Sequence, residues 1–396
     1  MRRQADRKAD SVITMVPEYG RRKLLGYAES FRDLAQLFDN DEEISGTCSE
    51  GEDRQEYLWK KKVCENNGLM AEHLKEMAFI MSDVAQETYR YRPMGARRYK
   101  KFARILKDEG IVLKSIFIVE NDDGHLELGL MMKPQRTGSV IVADVADMLS
   151  AEMNIRIKPS KNELLFMAKE WNTYHFQEEP AFYILTGFAK AVKETEKVSG
   201  DNYSFFETER GRMAAILSDG MGSGENACEE SAKVIEMMER FMEAGFSNEM
   251  AVQIVNGAMA AREQEQDMST LDICDMNLYT GNCSFIKAGA ACTYVKHGYM
   301  VDRLSAQNLP LGVFGQIEPE VMHRQLQDGD YVIMLSDGVA DAASQGAGEE
   351  FLPEVIGRMS TANPDEIANR ILGYCIRESK GHVRDDMTVL VIGVWK

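Results

Sequence analysis

Four short segments place an aspartate at the end of an apolar run or in a glycine-rich turn. They are Ser199-Gly200-Asp201, Ser218-Asp219-Gly220, Ser336-Asp337-Gly338 and Arg384-Asp385-Asp386. A carboxylate at the end of a buried strand carries a large desolvation penalty unless a cation or hydrogen bonds compensate it. Several oxygen ligands that converge on one point suit Mg²⁺ or Mn²⁺, and two such ions can activate a water molecule. The pattern predicts a divalent-metal site with hydrolytic chemistry.

Other catalytic chemistries lack their residues in this chain. No GxxxxGK[ST] or GxSxG motif is present, so neither a P-loop nor a serine-hydrolase elbow is predicted. The seven cysteines form no CxxC pair and the six histidines form no HExxH motif, which argues against a zinc site. Taken singly, each Asp-Gly step is also a common turn dipeptide. The metal-site prediction therefore depends on the order and context of the four segments.

The region that carries these aspartates, residues 181–396, combines short apolar strands with paired helices. Strands are predicted at Ala181–Lys190, Met213–Leu217, Leu271–Tyr279, Ser284–Ala288, Thr293–Lys296, Tyr331–Leu335 and Met387–Val394. Helices are predicted at Ala227–Ala244, Met250–Glu265, Glu349–Met359 and Pro364–Glu378. Many short strands with helices grouped in pairs favour antiparallel sheets flanked by helices.

Residues 96–180 predict a small α/β regulatory domain. The runs Ser115–Glu120 and Leu126–Met132 flank an Asp-Gly turn and read as a hairpin. A helix over Val140–Met153 and a strand over Leu164–Ala168 follow, which suggests a ferredoxin-like unit. Eight basic residues and no acid lie between Arg90 and Lys107. They indicate either a docking patch for an acidic partner or a solvated helix face, and the second is favoured.

Residues 1–95 form a third part, with a basic beginning and two amphipathic helices. Apolar stripes run from Leu24 to Phe38 and from Met70 to Ala85, and residues 39–56 between them are acidic and predict a mobile loop. The second helix is predicted either to regulate the C-terminal domain or to pack on its own domain. No apolar run reaches the roughly 18 residues that span a bilayer, so the chain is expected to be cytoplasmic. The basic start also suits a membrane-peripheral or anchored position if a longer protein precedes it.

The charge balance speaks against nucleic acid as a partner. The chain has 396 residues, with 46 Lys and Arg against 64 Asp and Glu, a formal net charge of −18. Phosphate backbones are bound through Lys and Arg, and no basic stripe surrounds the aspartate segments. A metal-dependent nuclease is disfavoured for the same reason.

The order SGDNYS, LSDGMGSG, STLDI, LSDGVAD and RDDMTVLVI resembles the metal-dependent PPM/PP2C serine/threonine phosphatases, in the bacterial branch that controls sigma factors. The resemblance is strong across residues 181–396 and looser before them. It implies a PP2C-like αββα sandwich that holds two Mn²⁺ or Mg²⁺ ions at the sheet edges. It also implies direct attack of water on phosphoserine or phosphothreonine, without a covalent intermediate.

The resemblance assigns expected roles to individual residues. Asp219 would bridge both ions, with the Gly220 carbonyl and Asp201 completing the shell of one ion, while Asp337 and Asp385 would hold the other. Asp219 and Asp201 are therefore the expected catalytic residues. Asp386 stands where many relatives have Asn, so it ranks below Asp385 as a ligand. The Arg that clamps phosphate in some eukaryotic relatives has no counterpart that the sequence identifies.

The resemblance also implies a biological setting. The expected substrate is a phosphorylated anti-sigma factor antagonist with a STAS domain, whose dephosphorylation activates a sporulation sigma factor. A homodimer and contact with a cell-division tubulin homologue are further expectations. The alternative is a catalytically silent signalling or division scaffold of the same fold. The presence of all the expected carboxylates favours the enzyme.

Overall fold

The computed structural model describes residues 24–33, 35–36, 68, 71–82, 85, 92–120, 124–135, 140–160, 163–208, 211–222, 224–243, 246–260, 268–313, 317–345 and 351–396. The basic beginning and the predicted acidic loop at 39–56 lie outside these ranges. The chain divides into two compact units between Glu179 and Pro180, with helical residues 24–33, 35–36 and 71–82 belonging to the first unit.

The two N-terminal helix predictions are confirmed for the described residues, which are helical at 24–33 and 71–82. Their buried positions are mainly small and seven residues apart: Ala28 and Ala35 in one helix, and Ala71, Ala78 and Ala85 in the other. Small residues at heptad spacing suit close helix packing. The Arg32 guanidinium donates to the Ser82 hydroxyl at 2.6 Å, so the two helices touch. The predicted regulatory role stays a prediction.

The rest of the first unit is one antiparallel sheet with two helices. Its elements are β1 (Arg92–Pro93), α1 (Ala96–Asp108), β2 (Ile111–Glu120), β3 (Leu126–Pro134), α2 (Val142–Met153), β4 (Ile157–Pro159) and β5 (Asn172–Glu178). The strand order is β1-β2-β3-β5-β4, with every neighbouring pair antiparallel. Phe102 of α1 and Leu149 of α2 are fully buried in its core.

Two predictions for this unit are confirmed and two are wrong. The hairpin and the helix α2 are present, but the predicted strand at Leu164–Ala168 is only a single bridge between Ile141 and Phe166. Leu165 there is 67% exposed, so an apolar run did not mark a buried strand. The ferredoxin-like topology is wrong, because all neighbours in the described sheet are antiparallel, whereas the βαβ units of that topology would place two parallel strands side by side.

The part of the basic segment that lies in α1 is a solvent-facing helix surface, as the sequence favoured. In α1 the basic side chains are exposed, and Phe102 and Leu106 supply the buried side. Lys101 pairs with Glu152 of α2 at 2.6 Å.

The second unit contains two five-stranded antiparallel sheets. Its elements are β6 (Tyr183–Ala191), β7 (Asp201–Thr208), β8 (Arg212–Asp219), α3 (Gly224–Glu243), α4 (Asn248–Ala260), β9 (Leu271–Asn277), β10 (Asn282–Ala288), β11 (Thr293–His297), β12 (Met300–Leu304), β13 (Glu320–Gln325), β14 (Tyr331–Leu335), α5 (Asp337–Gln345), α6 (Leu352–Gly357), α7 (Pro364–Glu378) and β15 (Met387–Trp395). One sheet has the order β13-β10-β9-β8-β7 and the other β12-β11-β14-β15-β6.

The sequence of β15 shows why four layers form. Successive strand residues point to opposite faces of a sheet. In β15, Val389 and Val391 pack with α5, α6 and α7, whereas Leu390 and Ile392 pack between the sheets. Helices α3 and α4 cover the outer face of the other sheet. The predicted αββα sandwich is confirmed.

Three strands and one helix of the second unit escaped prediction. Strands β7, β12 and β13 lie at sheet edges and are only partly buried, so their sequences carry no apolar run. Helix α5 begins at Asp337, where the sequence suggested only a turn. An acid in the first turn stabilises a helix through the peptide dipoles. Among the described residues, none of the helices is long and apolar enough to cross a membrane.

Candidate active site

Asp201 and Asp219 face each other across two paired strands. Asp201 is the first residue of β7 and Asp219 the last of β8, and the antiparallel register pairs them directly. Asp201 is fully buried, whereas Asp219 is half-buried. Residues directly opposite on adjacent strands lie about 4.5 to 5.5 Å apart at Cα. Two predicted metal ligands are thus neighbours because of strand register.

The other sheet brings Asp337 and Asp385 to the same place. Asp337 begins α5 just after β14, and Asp385 lies two residues before β15. Ser336 closes the gap between these strands, because its amide donates to the Thr388 carbonyl at 3.0 Å and its hydroxyl accepts from the Thr388 amide at 2.9 Å. The side chains of Asp337 and Asp385 are solvent-exposed. The four carboxylates therefore run from a fully buried one to two exposed ones.

The four carboxylates lie close enough together for the other three to repel the charge of Asp219. Burial is the main cause that raises the pKa of Asp219, and repulsion from Asp201, Asp337 and Asp385 adds to it, so that the pKa reaches about 10. Burial also raises the pKa of Asp201 to about 6, with Asp386 adding to the increase. Like charges held together in a desolvated place disfavour the ionised form. Such a cluster is stabilised by whatever brings positive charge into it.

The surroundings of the Asp201 carboxylate suit a bound cation. Both of its oxygens are buried and neither has a hydrogen-bond partner. The hydroxyls of Thr388 and Ser336 lie near enough to lower its pKa, but neither is placed to donate a hydrogen bond to it. A buried carboxylate without partners is costly unless a cation compensates it. The all-oxygen donor set is the one that Mn²⁺ and Mg²⁺ take.

Gly200 marks the space beside the predicted ligands. A Cβ on Gly200 would lie 3.5 Å from the Gly220 carbonyl oxygen and 3.6 Å from Asp219 Oδ1. These two oxygens therefore border the same small volume. In the described ranges no three His, Cys, Asp or Glu side chains already stand at the spacing needed to hold one ion. The backbone brings the donors together, and ion binding would require the repelling carboxylates to turn inward.

The glycines of the two Ser-Asp-Gly segments have a different purpose from the one predicted. The sequence suggested sharp turns, but neither Gly220 nor Gly338 has a positive φ. Instead, a Cβ on Gly220 would lie 2.1 Å from the Ala227 carbonyl oxygen, and one on Gly338 would lie 2.2 Å from the Asp386 carbonyl oxygen. Glycine is required because another backbone segment passes against each position.

Asp386 contacts backbone amides, not the other carboxylates. Its Oδ2 accepts from the Gly200 amide at 2.7 Å and its Oδ1 accepts from the Lys193 amide at 2.9 Å. The side chain is buried. Both oxygens are thus used to hold the loop that leads into Asp201. Of the two adjacent acids, Asp385 is the exposed one: its Oδ1 accepts from the Asp386 amide at 3.0 Å, and its charge raises the pKa of Asp219.

The segment STLDI holds the backbone of Asp219. The Thr270 hydroxyl accepts from the Asp219 amide at 3.1 Å, and the Thr270 amide donates to the Asp219 carbonyl at 2.8 Å. The Ser269 hydroxyl donates to the same carbonyl at 2.8 Å. Sequence reasoning identified the segment but gave no role to these two residues.

The sequence did not predict a role for two lysines near the cluster. Lys190 Nζ donates to the Asp201 carbonyl oxygen at 2.6 Å, and its charge lowers the pKa of the Asp201 carboxyl. Lys193 Nζ lies 3.7 Å from Asp385 Oδ1. Neither position belongs to a recognisable motif, since both depend on how β6 and the following loop lie against the segment before β15.

Comparison with solved structures defines the class of the second unit. The chain matches the structure of the PP2C phosphatase domain and a fragment of the regulatory domain of SpoIIE from Bacillus subtilis, with 26% identity and a TM-score of 0.58. The match covers 84% of this chain and 98% of that one. The phosphatase domain of the same protein in another crystal form is 31% identical over 95% of its length and 55% of this chain, with a TM-score of 0.46. On the first of these two matches, the second unit is a phosphatase domain of the PP2C class.

The family assignment extends to both units. The family model "Stage II sporulation protein E (SpoIIE)" matches residues 209–395, and "SpoIIE, regulatory domain" matches residues 28–177. The chain belongs to the SpoIIE family. It is 29% identical to stage II sporulation protein E of Bacillus subtilis (strain 168) over 85% of its own length. It spans 40% of the length of that relative.

Proposed function

We propose that the chain is a protein serine phosphatase that requires two divalent cations, Mn²⁺ or Mg²⁺. One observation carries the proposal: Asp201, Asp337 and Asp385 all raise the pKa of Asp219 by repulsion, and the fully buried Asp201 carboxylate has no hydrogen-bond partner. Membership of the SpoIIE family and the PP2C-class fold support it. In this chain Asp219 and Asp201 are the proposed catalytic residues.

The proposed ligand set follows from the arrangement of the carboxylates. Asp219 is paired with Asp201 on its own sheet and is repelled by Asp337 and Asp385 at the end of the other, so it is suited to bridge two ions. Asp201 and the Gly220 carbonyl would complete one shell. Asp337 and Asp385 would hold the other ion. Bound divalent ions supply Lewis acidity for transfer of a phosphoryl group to water.

The protein's own residues keep this set in place. Asp386 fixes the amide that precedes Asp201, and Lys190 binds the Asp201 carbonyl. Ser269 and Thr270 fix the backbone of Asp219. Preorganised ligands bind ions with less loss of conformational freedom, and the outer groups that orient them are worth about 10- to 100-fold in metal affinity.

The proposed substrate is a phosphorylated anti-sigma factor antagonist with a STAS domain, and the proposed consequence is activation of a sporulation sigma factor. Family membership supports this substrate. The homodimer and the contact with a cell-division tubulin homologue stay predictions from resemblance, and the cytoplasmic or membrane-peripheral location stays a prediction from the hydropathy and charge pattern.

The test is phosphate release from a serine-phosphorylated STAS-domain antagonist by the full chain, with MnCl₂, MgCl₂ or EDTA. Turnover is expected with the metals and not with EDTA. Asp219→Asn and Asp337→Asn are expected to reduce it to background while circular dichroism stays unchanged. Asp302→Asn is the matched control, because Asp302 is exposed on β12.

A short phosphoserine peptide separates the two parts of the proposal. Metal-dependent cleavage of the peptide without cleavage of the STAS protein would retain the phosphatase and reject the substrate. Turnover unaffected by both aspartate substitutions would reject the site. A folded chain that binds Mn²⁺ but hydrolyses neither substrate would favour the silent scaffold.

A further inference from the structure

The loop between β6 and β7 places the ammonium group of Lys193 beside Asp385, an exposed member of the carboxylate cluster. This loop, residues 192–200, lies against the segment before β15, since the Glu194 amide donates to the Val383 carbonyl at 3.0 Å. The amides of Lys193 and Gly200 both donate to the Asp386 carboxylate. The backbone of Lys193 is therefore fixed close to the proposed metal ligands.

The two lysines of this region have different surroundings. Lys190 donates to the buried Asp201 carbonyl oxygen, so its ammonium is engaged with the backbone. The Lys193 ammonium lies 3.7 Å from Asp385 Oδ1, a distance too long for a hydrogen bond. The side chain of Lys193 is 29% exposed and that of Asp385 is 53% exposed. The Lys193 side chain is thus partly accessible to solvent, beside the exposed Asp385 carboxylate.

A pair of this kind leaves the lysine available to another anion. Ion pairs between exposed groups contribute little to stability, because solvent screens them and the long side chain loses freedom. Divalent ions bound by the carboxylates would neutralise much of the charge that attracts the Lys193 ammonium. A phosphate group brought to the ions would then be the strongest anion within reach of this side chain.

We propose that Lys193 binds the phosphoryl oxygens of the phosphoserine substrate. The inference rests on the proposed phosphatase function and names the side chain that recognises the phosphate. Lys193 is the cationic side chain that pairs with one of the proposed ligands in the described part of the chain. A lysine is a compact cation with three donors that can follow the phosphate as it moves.

The experiment measures kcat and KM for a phosphoserine peptide with saturating MnCl₂. Lys193→Ala is expected to raise KM, and the inhibition constant of inorganic phosphate, about tenfold or more, the usual effect of one hydrogen bond to a charged group. Lys193→Arg is expected to recover most of the affinity, because it keeps the charge and the donors. Lys197→Ala is the matched control: this exposed lysine lies in the same loop, and its removal changes the net charge equally.

A second readout separates phosphate binding from an effect on the metal. Calorimetric titration with Mn²⁺ alone is expected to give equal or tighter binding in Lys193→Ala, because a cation beside Asp385 has been removed. Weaker Mn²⁺ binding with an unchanged phosphate inhibition constant would overturn the proposal, since Lys193 would then act only by positioning Asp385. An equal effect of Lys197→Ala would also overturn it, by showing that general charge is responsible.

Arg384 is the alternative candidate for binding the phosphate, because it is exposed and precedes Asp385. If Arg384→Ala, and not Lys193→Ala, weakened phosphate binding, Lys193 would be rejected. Absence of metal-dependent turnover in the unmodified chain would reject the proposed function instead. Titration of the Mn²⁺-loaded protein with inorganic phosphate would then still decide the role of Lys193.

Discussion

The carboxylate of Asp386 accepts a hydrogen bond of 2.7 Å from the amide of Gly200, a residue 186 positions earlier in the chain. Gly200 immediately precedes the fully buried Asp201. The second oxygen of Asp386 accepts from the Lys193 amide, at the other end of the same loop. One buried acid from the sheet that contains β15 thus fixes both ends of the loop that leads into β7.

Asp386→Ala is expected to lower Mn²⁺ affinity about 10- to 100-fold, because it releases the residue before Asp201. The two amides left without an acceptor would also cost about 1 to 3 kcal/mol each of folding free energy. Asp386→Asn should be milder, since one of its two acceptor oxygens remains. Calorimetric Mn²⁺ titration of both variants measures the difference. If Asp386→Asn abolished Mn²⁺ binding as fully as Asp385→Asn, Asp386 would be a ligand and not a positioning residue.

Gly338→Ala is expected to destabilise the phosphatase domain and to weaken Mn²⁺ binding. The new Cβ would lie 2.2 Å from the Asp386 carbonyl oxygen, so the start of α5, which carries Asp337, must move away from the segment before β15. Gly373→Ala is the matched control. Gly373 lies inside α7, where the nearest atom to a new Cβ is 3.8 Å away, and the substitution should raise stability by about 0.5 to 1 kcal/mol. Thermal unfolding of both variants tests the contrast, and an unaffected Gly338→Ala would contradict it.

The sequence predicted the ligands better than the network that holds them. Asp201, Asp219, Asp337 and Asp385 each follow or precede a strand, and the resemblance to the PP2C phosphatases placed those strand ends together. The contacts of Asp386 and Lys193 depend on a loop and a strand far apart in the chain. Such pairing has no local sequence pattern, so no motif could reveal it.

The same limit explains the errors in the fold. Strand β7 was missed because it lies at a sheet edge, where Asn202 and Ser204 need not be apolar. The apolar run at Leu164–Ala168 is largely exposed, so hydrophobicity misplaced a strand there. By contrast, β15 is buried on both faces, and its nearly continuous apolar run was predicted correctly.

Thr270→Val is expected to weaken Mn²⁺ binding and to lower stability by about 1 kcal/mol, because the Asp219 amide loses its acceptor while side-chain volume is kept. Thr186→Val, at an exposed position of β6, makes the same chemical change away from the cluster and should leave both properties unaltered. Mn²⁺ titration and thermal unfolding compare the two. Equal behaviour of the two variants would show that the Thr270 hydroxyl does not position Asp219.

The carboxylate cluster predicts how stability depends on pH in the metal-free protein. The pKa values of Asp219 and Asp201, about 10 and about 6, lie above the value of about 3.9 for Asp in an unfolded chain. A group with a raised folded-state pKa contributes stability that is complete below the unfolded-state pKa and is lost as pH rises through the folded-state pKa. The melting temperature in EDTA is therefore expected to fall from about pH 4 toward pH 10.

Asp219→Asn isolates this effect, because the amide cannot ionise and the variant keeps only the smaller pKa shift of Asp201. We expect the melting temperature of this variant in EDTA to fall less steeply between pH 5 and pH 9 than that of the unmodified chain. Asp302→Asn should keep the steep dependence. Saturating Mn²⁺ should flatten the profile of the unmodified chain, because bound cations lower the pKa values of the carboxylates and remove the cost of ionising them in the folded state. Identical slopes for Asp219→Asn and the unmodified chain would show that the repulsion around Asp219 does not limit the stability of the metal-free fold.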